Sequence, residues 1–363
     1  MARPILHAIA HRWYRVRYFL RQTTGIYQWG KFLGAIALVA SLIACTTLPF
    51  RGDGLPTIEL TLVSINTTKA AYRNIIPAFT QQWQETHNEK VIITQSYGPS
   101  GSQTRAVLDG LDADLVHLSL PLDIQKLEQE QLVKPGWEDT QPNHSVPTES
   151  VVALIYREGN PVNIQSWSDL TRPEISVLTA DPKTSGAARW NFLALWQAGL
   201  RQGKTEDAAE AFTGAVYGNA PILPRDSREA TGIFYKQSRG DVLINYENEA
   251  ILAAQNGEKL PYLIPDDNIR IENPIALVDR NIDKHNNRAV TEAFAQFLFS
   301  PEAQREFAKV GFRVVNPQIQ AEFAEEHPTI RHLGEASEFG SWSQIQSDFF
   351  DSGAMFDRLR SQA

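Results

Sequence analysis

From residue 57 onward, short apolar runs rich in β-branched residues alternate with stretches whose apolar positions recur at helical spacing. IELTLVSI (58–65) predicts a strand. After it, Tyr72, Ile75, Ile76, Phe79 and Trp83 fall at i, i+3, i+4, i+7 and i+11 on one helix face, with Pro77 expected to kink that helix or to lie near its start. VIITQS (91–96) predicts a second strand, and YGPSGSQ turns into a helix over 103–111. ADLVHLSL (113–120) predicts a third strand, and VVALIYREGNP (151–161) a buried strand ended by a turn. Strand ISVLTA (175–180) leads to helices over 187–200 and 206–217, and DVLINY (241–246) to the helix ENEAILAAQN. IENPIALVD (271–279) is extended, and 288–310 reads as one helical stretch. This alternation predicts an α/β fold with mainly parallel sheets, whose ligands sit beyond the carboxyl ends of strands where loops enter helix N-termini. The 363 residues exceed one small domain and predict two lobes.

The first 45 residues break the pattern. They hold Arg3, Arg12, Arg15, Arg17, Arg21 and Lys31 with no acidic residue, and then the apolar run FLGAIALVASLIAC (32–45). Only 13 residues separate Lys31 from Cys45, too few to span a bilayer comfortably and typical of a signal-peptide core. Leu42-Ile43-Ala44-Cys45 resembles a bacterial lipobox, where a signal peptidase cuts before the cysteine and lipid is attached to it. The alternative is a buried thiol at the end of an uncleaved anchor helix. Cys45 is the only cysteine, so no internal disulfide can form. Without this leader, 28 basic residues face 42 acidic ones, a net charge of −14 against −8 for the whole chain. Such a surface argues against a nucleic-acid partner, and any anion site must work through local dipoles.

One stretch has the look of such a site. In DPKTSGAARWNF (181–192), Asp-Pro breaks regular structure, Ser185 and Gly186 suit a helix start, and the residues that follow favour helix. The first turn of a helix carries unpaired N–H groups and a partial positive charge, which attract anions. Two loops share this chemistry: SYGPSG (96–101) and DSREATG (226–232), each rich in small residues and opening a helix. Enzyme signatures are missing: there is no G-x-S-x-G elbow, no GxxxxGK[ST], and no G-x-G-x-x-G in the right setting. The eight histidines lack metal-ligand spacing, so neither a metal nor a cofactor is expected, and His117, alternating within a strand, reads as packed or solvated. Lys183 lies two residues before Ser185, a conceivable nucleophile pair with no Asp or His constellation behind it.

The segment DPKTSGAAR closely resembles the NPK-[ST]-SG-x-AR signature of periplasmic sulfate-binding proteins, the solute receptors of ABC-type sulfate/thiosulfate importers. The resemblance extends over nearly all of 57–363, through KVIITQSYGPSGSQ, GNPVNIQSWSDL, GDVLINYENEA, FLFSPEAQ and GSWSQIQSDFFDSGAMFD. It implies an α/β, two-lobe periplasmic binding protein of type II, with parallel-rich sheets, flanking helices and a two-strand hinge near 150–156 and 271–279. The implied organisation is a lipoprotein-type signal segment over 1–45, a linker over 46–56, a first lobe from 57–150 and 273–363, and a second lobe over 151–272.

By position, the resemblance implies that Asn66 and Ser100 donate backbone N–H groups from the first lobe. From the second lobe Ser185 would give its hydroxyl, and Gly186, Ala187 and Ser227 their N–H groups, with Tyr246 in the place of a tryptophan N–H. Arg189 and Arg228 would brace the loops without touching the anion. Asn66 stands where the family usually has aspartate, Pro99 and Ala187 where it has glycine, and Asp181 where it has asparagine. Tyr246 is the largest departure, because a phenol both donates and accepts whereas an indole N–H only donates. The implied function is a monomeric, non-catalytic receptor, lipid-anchored through Cys45 at the outer face of the cytoplasmic membrane. It would bind sulfate, thiosulfate or a similar tetrahedral oxyanion and pass it to an ABC transporter permease. The alternatives are a receptor for a molybdate- or phosphate-like oxyanion and a ligand sensor without transport.

Overall fold

The first apolar run folds as strand β1 (Thr57–Ile65), followed by helix α1 (Lys69–His87). These coordinates, a computed structural model, describe residues 54–362; the leader, Cys45 and the linker up to residue 53 lie outside the described residues. Helix α1 runs on through Pro77, with Tyr72, Ile75, Ile76, Phe79 and Trp83 all buried. Pro77 therefore neither starts nor ends the helix, because apolar burial on both sides of it outweighs the hydrogen bond that its ring removes. Next come β2 (Lys90–Gly98), α2 (Ser100–Leu108), β3 (Leu115–His117) and α3 (Pro121–Gln129). Both β2 and β3 pair with β1 in parallel.

The chain leaves this first lobe on β4 (Thr148–Ser150) and enters a second sheet at β5 (Val152–Tyr156). There follow β6 (Val177–Leu178), α4 (Gly186–Gly203), α5 (Glu206–Gly218), α6 (Ser227–Gln237), β7 (Val242–Tyr246), α7 (Glu247–Gln255) and β8 (Tyr262–Leu263). The second sheet has the order β6-β7-β5-β8, with β6 parallel to β7 and β5 antiparallel to both neighbours. After β9 (Asp267–Ile269), β10 (Ile271–Asn273) comes back antiparallel to β4, Ile271 opposite Ser150 and Asn273 opposite Thr148. Then β11 (Ile275–Leu277) rejoins the first sheet antiparallel to β3. The two crossings thus lie side by side as the hinge.

His117 ties that hinge to the first sheet. Its Nδ1 lies 2.8 Å from the Tyr72 hydroxyl, and its Nε2 lies 3.1 Å from the Asn273 carbonyl and 3.3 Å from Thr148 Oγ1. It is fully buried, the packed of the two readings. The single helix expected over 288–310 is two, α8 (Arg288–Phe297) and α9 (Pro301–Lys309). Ser300 caps the second, accepting from the Ala303 N–H at 3.2 Å, and Pro301 in its first turn cannot continue a preceding helix.

Each lobe has its own core. One gathers Leu62, Tyr72, Phe79, Phe294 and Phe307; the other gathers Val152, Trp190, Phe192, Trp196 and Ile244. After β12 (Arg313–Val314), which pairs with β4, the chain returns to the second lobe. There β13 (His332–Gly334) pairs with β9, and Phe349, Phe350 and Phe356, the last from α10 (Met355–Gln362), set their rings edge-on to Phe192 at 5.5, 5.2 and 6.3 Å. The expectation that all of 273–363 belongs to the first lobe is corrected here: the end of the chain completes the second core. Among the described residues no helix is long and apolar enough to cross a membrane.

Candidate functional site

Asp181 builds the turn that precedes α4. Its carbonyl accepts from the N–H groups of Thr184 and Ser185 at 3.1 and 2.8 Å, and its carboxylate from the Lys183 N–H at 2.8 Å. Ser185 then caps the helix, its Oγ accepting from the Ala188 N–H at 3.3 Å. Gly186 and Ala187 open the first turn, where no intrahelical partner exists for their N–H groups. Gly186 is there for space: a Cβ on it would lie 2.5 Å from Ser119 Cβ, in the segment that leaves β3. The Trp190 indole, one turn further on, donates to the Ser119 carbonyl at 2.7 Å and fixes α4 against that segment.

The other two loops behave alike. Asp226 caps α6 by accepting from the Glu229 N–H at 2.8 Å, which leaves Ser227 as its first helical residue. Ser100 opens α2; its hydroxyl donates to buried Asp123 at 2.6 Å and accepts from the Ser119 N–H at 3.0 Å, so only its main chain remains for a ligand. Asn66 follows β1 and starts the turn that feeds α1.

These loops meet at one cavity of about 20 Å³. It is lined by six of the seven expected contact residues, Asn66, Ser100, Ser185, Gly186, Ala187 and Ser227. Three helix N-termini, of α2, α4 and α6, therefore point their positive ends at a space little larger than a water molecule needs. Wider recesses exist, one of about 1000 Å³ beside Trp196 and Arg358, but the converging N-termini are at the small one.

Three side-chain groups on the lining were not expected from the sequence. Thr67 Oγ1 and Ser227 Oγ are buried and, among the described residues, without a hydrogen-bond partner. A buried hydroxyl is normally paired, so two unpaired ones on the same cavity wall mark places for a ligand's oxygens. Ser227 was expected to offer only its N–H. Nothing in the sequence separates Thr67 from Thr68, whose hydroxyl is spent on the Ile65 carbonyl at 2.9 Å. The third is Asp226, a carboxylate on an anion cavity. Both its oxygens are engaged, Oδ1 by the Glu229 N–H and Oδ2 by the Asn66 side-chain amide at 3.0 Å.

Tyr246 is not among the lining residues. It is wholly buried, and its hydroxyl faces Asn273 and Ser119 without an aligned hydrogen bond to either. Burial pushes its pKa well above the usual phenol range, so the group keeps its proton. The two arginines brace. Arg189 donates from Nε to the Pro182 carbonyl and from Nη1 to Gln346 Oε1, both at 2.9 Å, tying the Asp181 turn to the end of the chain. Arg228 borders the cavity, and its guanidinium pairs with buried Glu249 at 2.8 Å. Lys183 Nζ reaches the Phe350 carbonyl at 2.9 Å and Asp357 at 2.8 Å, so its amine serves the C-terminal segment rather than Ser185. Among the described residues no cluster of three His, Cys, Asp or Glu side chains could hold a metal ion.

Residues 60–313 match the family model for bacterial extracellular solute-binding proteins. The chain is 48% identical over 338 residues to a sulfate-binding protein of Synechocystis sp., covering 91% of this chain and 96% of that protein. It is 34% identical over 327 residues to a thiosulfate-binding protein of Pseudomonas aeruginosa, covering 89% and 98%. Among solved structures it is similar to the sulfate-binding protein SubI of Mycobacterium tuberculosis H37Rv, with a TM-score of 0.74 and 35% identity over 81% of this chain and 100% of that one.

Proposed function

Since the chain belongs to the bacterial extracellular solute-binding proteins and, within them, to the sulfate-binding proteins, we propose that it captures sulfate or thiosulfate outside the cytoplasmic membrane and delivers it to an ABC transporter permease. It does so as a monomer, without chemistry on the ligand. Leu42-Ile43-Ala44-Cys45 supports attachment to the membrane through a lipid on Cys45.

The observation that carries this reading is the convergence of three helix N-termini on a cavity whose bordering charges, Asp226 and Arg228, already have partners. Sulfate at neutral pH is a dianion with acceptor oxygens only, so a wall of donors satisfies it completely. Phosphate near neutral pH still carries one or two protons, which need an acceptor, because its second ionisation falls at about 6 to 7. Each Asp226 oxygen already holds one donor, which leaves the carboxylate a poorer acceptor for such a proton, and a protonated anion left without an acceptor is disfavoured by about 1–3 kcal/mol. Asn66, Ser100, Gly186, Ala187 and Ser227 supply backbone N–H groups, and Ser185, Ser227 and Thr67 supply hydroxyls. Calorimetric titration with sulfate, thiosulfate, molybdate and phosphate tests the reading. Sulfate or thiosulfate is expected to bind most tightly, with sulfate affinity constant from pH 6 to 8. Preferential binding of phosphate sinks it.

Ser185 offers a sharper test. Its oxygen already accepts from Ala188, which leaves its proton free for the ligand. A hydrogen bond to a charged group contributes about 1.5–3 kcal/mol, so Ser185→Ala is expected to lower affinity roughly 10- to 150-fold. Loss of the cap costs about 0.5–2 kcal/mol of stability and is read separately as a lower unfolding temperature without ligand. A variant that loses stability but keeps its affinity removes Ser185 from the site.

A further inference from the structure

Asn66 follows strand β1 of the first lobe, and Asp226 caps a helix of the second. They stand 160 positions apart in the chain, yet the Asn66 amide donates to Asp226 Oδ2 at 3.0 Å, and both border the same cavity. Asp226 is 6% exposed, so its carboxylate is largely removed from water. Oδ1 is held within its own helix by the Glu229 N–H, whereas the amide on Oδ2 comes from the opposite lobe. A hydrogen bond to a buried carboxylate is among the stronger ones, and a carboxylate left short of a donor beside a dianion is strongly disfavoured.

We propose that Asn66 and Asp226 form an interlobe latch that holds the receptor closed over its anion and, by engaging Oδ2, weakens the Asp226 carboxylate as an acceptor inside the site. The latch rests on the anion-receptor reading and adds a residue-level cause for slow release and for rejection of protonated oxyanions. Asparagine suits position 66 because its amide donates; an aspartate there would set two carboxylates about 3 Å apart, where both cannot ionise without mutual repulsion.

Stopped-flow measurement of sulfate association and release on the full chain tests the latch through four proteins: wild type, Asn66→Asp, Asp226→Asn and the double variant. Asn66→Asp is expected to release sulfate roughly 10- to 150-fold faster, with association little changed, because the latch forms after encounter. Asp226→Asn keeps the helix cap through its one amide oxygen, and its NH2 can donate to the Asn66 carbonyl once that amide turns over, so an uncharged latch remains and release changes least. In the double variant, carboxylate and amide exchange places and release returns close to wild type. Additive losses in the double variant overturn the proposal, as does an effect confined to association. Should Asn66→Asp fail to fold, Asn66→Ala leaves Oδ2 free to accept a proton, and its preference for sulfate over phosphate is expected to narrow; an unchanged preference also overturns the latch. If the wild type does not bind sulfate, the functional reading fails, and small-angle scattering of the ligand-free proteins decides the latch alone. Even without ligand the latch favours the minor closed fraction of an open–closed equilibrium, so wild type and double variant should be more compact than Asn66→Asp, and equal radii of gyration overturn it.

Discussion

Replacing Gly186 by alanine is expected to weaken sulfate binding more than about 100-fold while leaving the ligand-free protein as stable as before or slightly more so. The added Cβ would lie 2.5 Å from Ser119 Cβ, a separation real side chains do not adopt, with Leu120 Cγ 3.2 Å away on the same side. Overpacking of this kind costs about 1–3 kcal/mol, and the displacement also lengthens charge-assisted hydrogen bonds made from both lobes, each worth about 1.5–3 kcal/mol. None of that strain exists when the lobes are apart. In the open protein, alanine at the first turn of a helix stabilises by about 0.4–1 kcal/mol through the unfolded chain. Titration and ligand-free thermal unfolding should therefore move in opposite directions. Adding Ser119→Gly removes the opposing Cβ and should restore much of the affinity. Unchanged binding by Gly186→Ala would mean that the ligand is held without this approach of α4 to Ser119.

The elements were legible where one physical signal dominated. The face Tyr72–Ile75–Ile76–Phe79–Trp83 marked α1 because a buried helix face repeats at 3.6 residues, and no local breaker outweighed it. The break between α8 and α9 was visible as Ser300-Pro301 but was overridden by the apolar positions on both sides. The three anion-type loops were legible because Ser and Gly at a strand-to-helix junction leave N–H groups unpaired, and the structure brings all three to one cavity. What the sequence left hidden depends on partners far along the chain. The place of Phe349 and Phe350 beside Phe192 is set by tertiary packing, as is the turn of the Tyr246 hydroxyl toward Asn273. Thr67 and Thr68 are chemically identical neighbours, and only the turn decides that one hydroxyl is used internally and the other faces the cavity. The Asn66–Asp226 pair is of the same kind, since neither residue signals a role until the lobes place them together.

Acidification is expected to cost this protein on the order of 4 kcal/mol at His117 alone. Burial pushes the imidazole pKa down to about 3, against about 6.5 for an exposed histidine. The Asn273 carbonyl accepts only, so Nε2 carries the proton and Nδ1 accepts from the Tyr72 hydroxyl. The folded protein therefore holds His117 neutral, while the unfolded chain takes up a proton as pH falls below about 6.5. Stability from this group is complete above that pH and is lost progressively as pH falls toward 3, at about 1.4 kcal/mol per pH unit. Other buried groups titrate over the same range, so the informative quantity is a difference. Urea unfolding of the wild type should lose stability more steeply between pH 6 and 4 than unfolding of His117→Gln, whose amide can still donate to Asn273 without titrating. Parallel curves would show that His117 takes up its proton equally well in the folded protein. Because His117 links β3 to Asn273 and Thr148, one residue on each crossing strand, the same acid range should raise hydrogen exchange first in β4 and β10, loosening the hinge before either core opens.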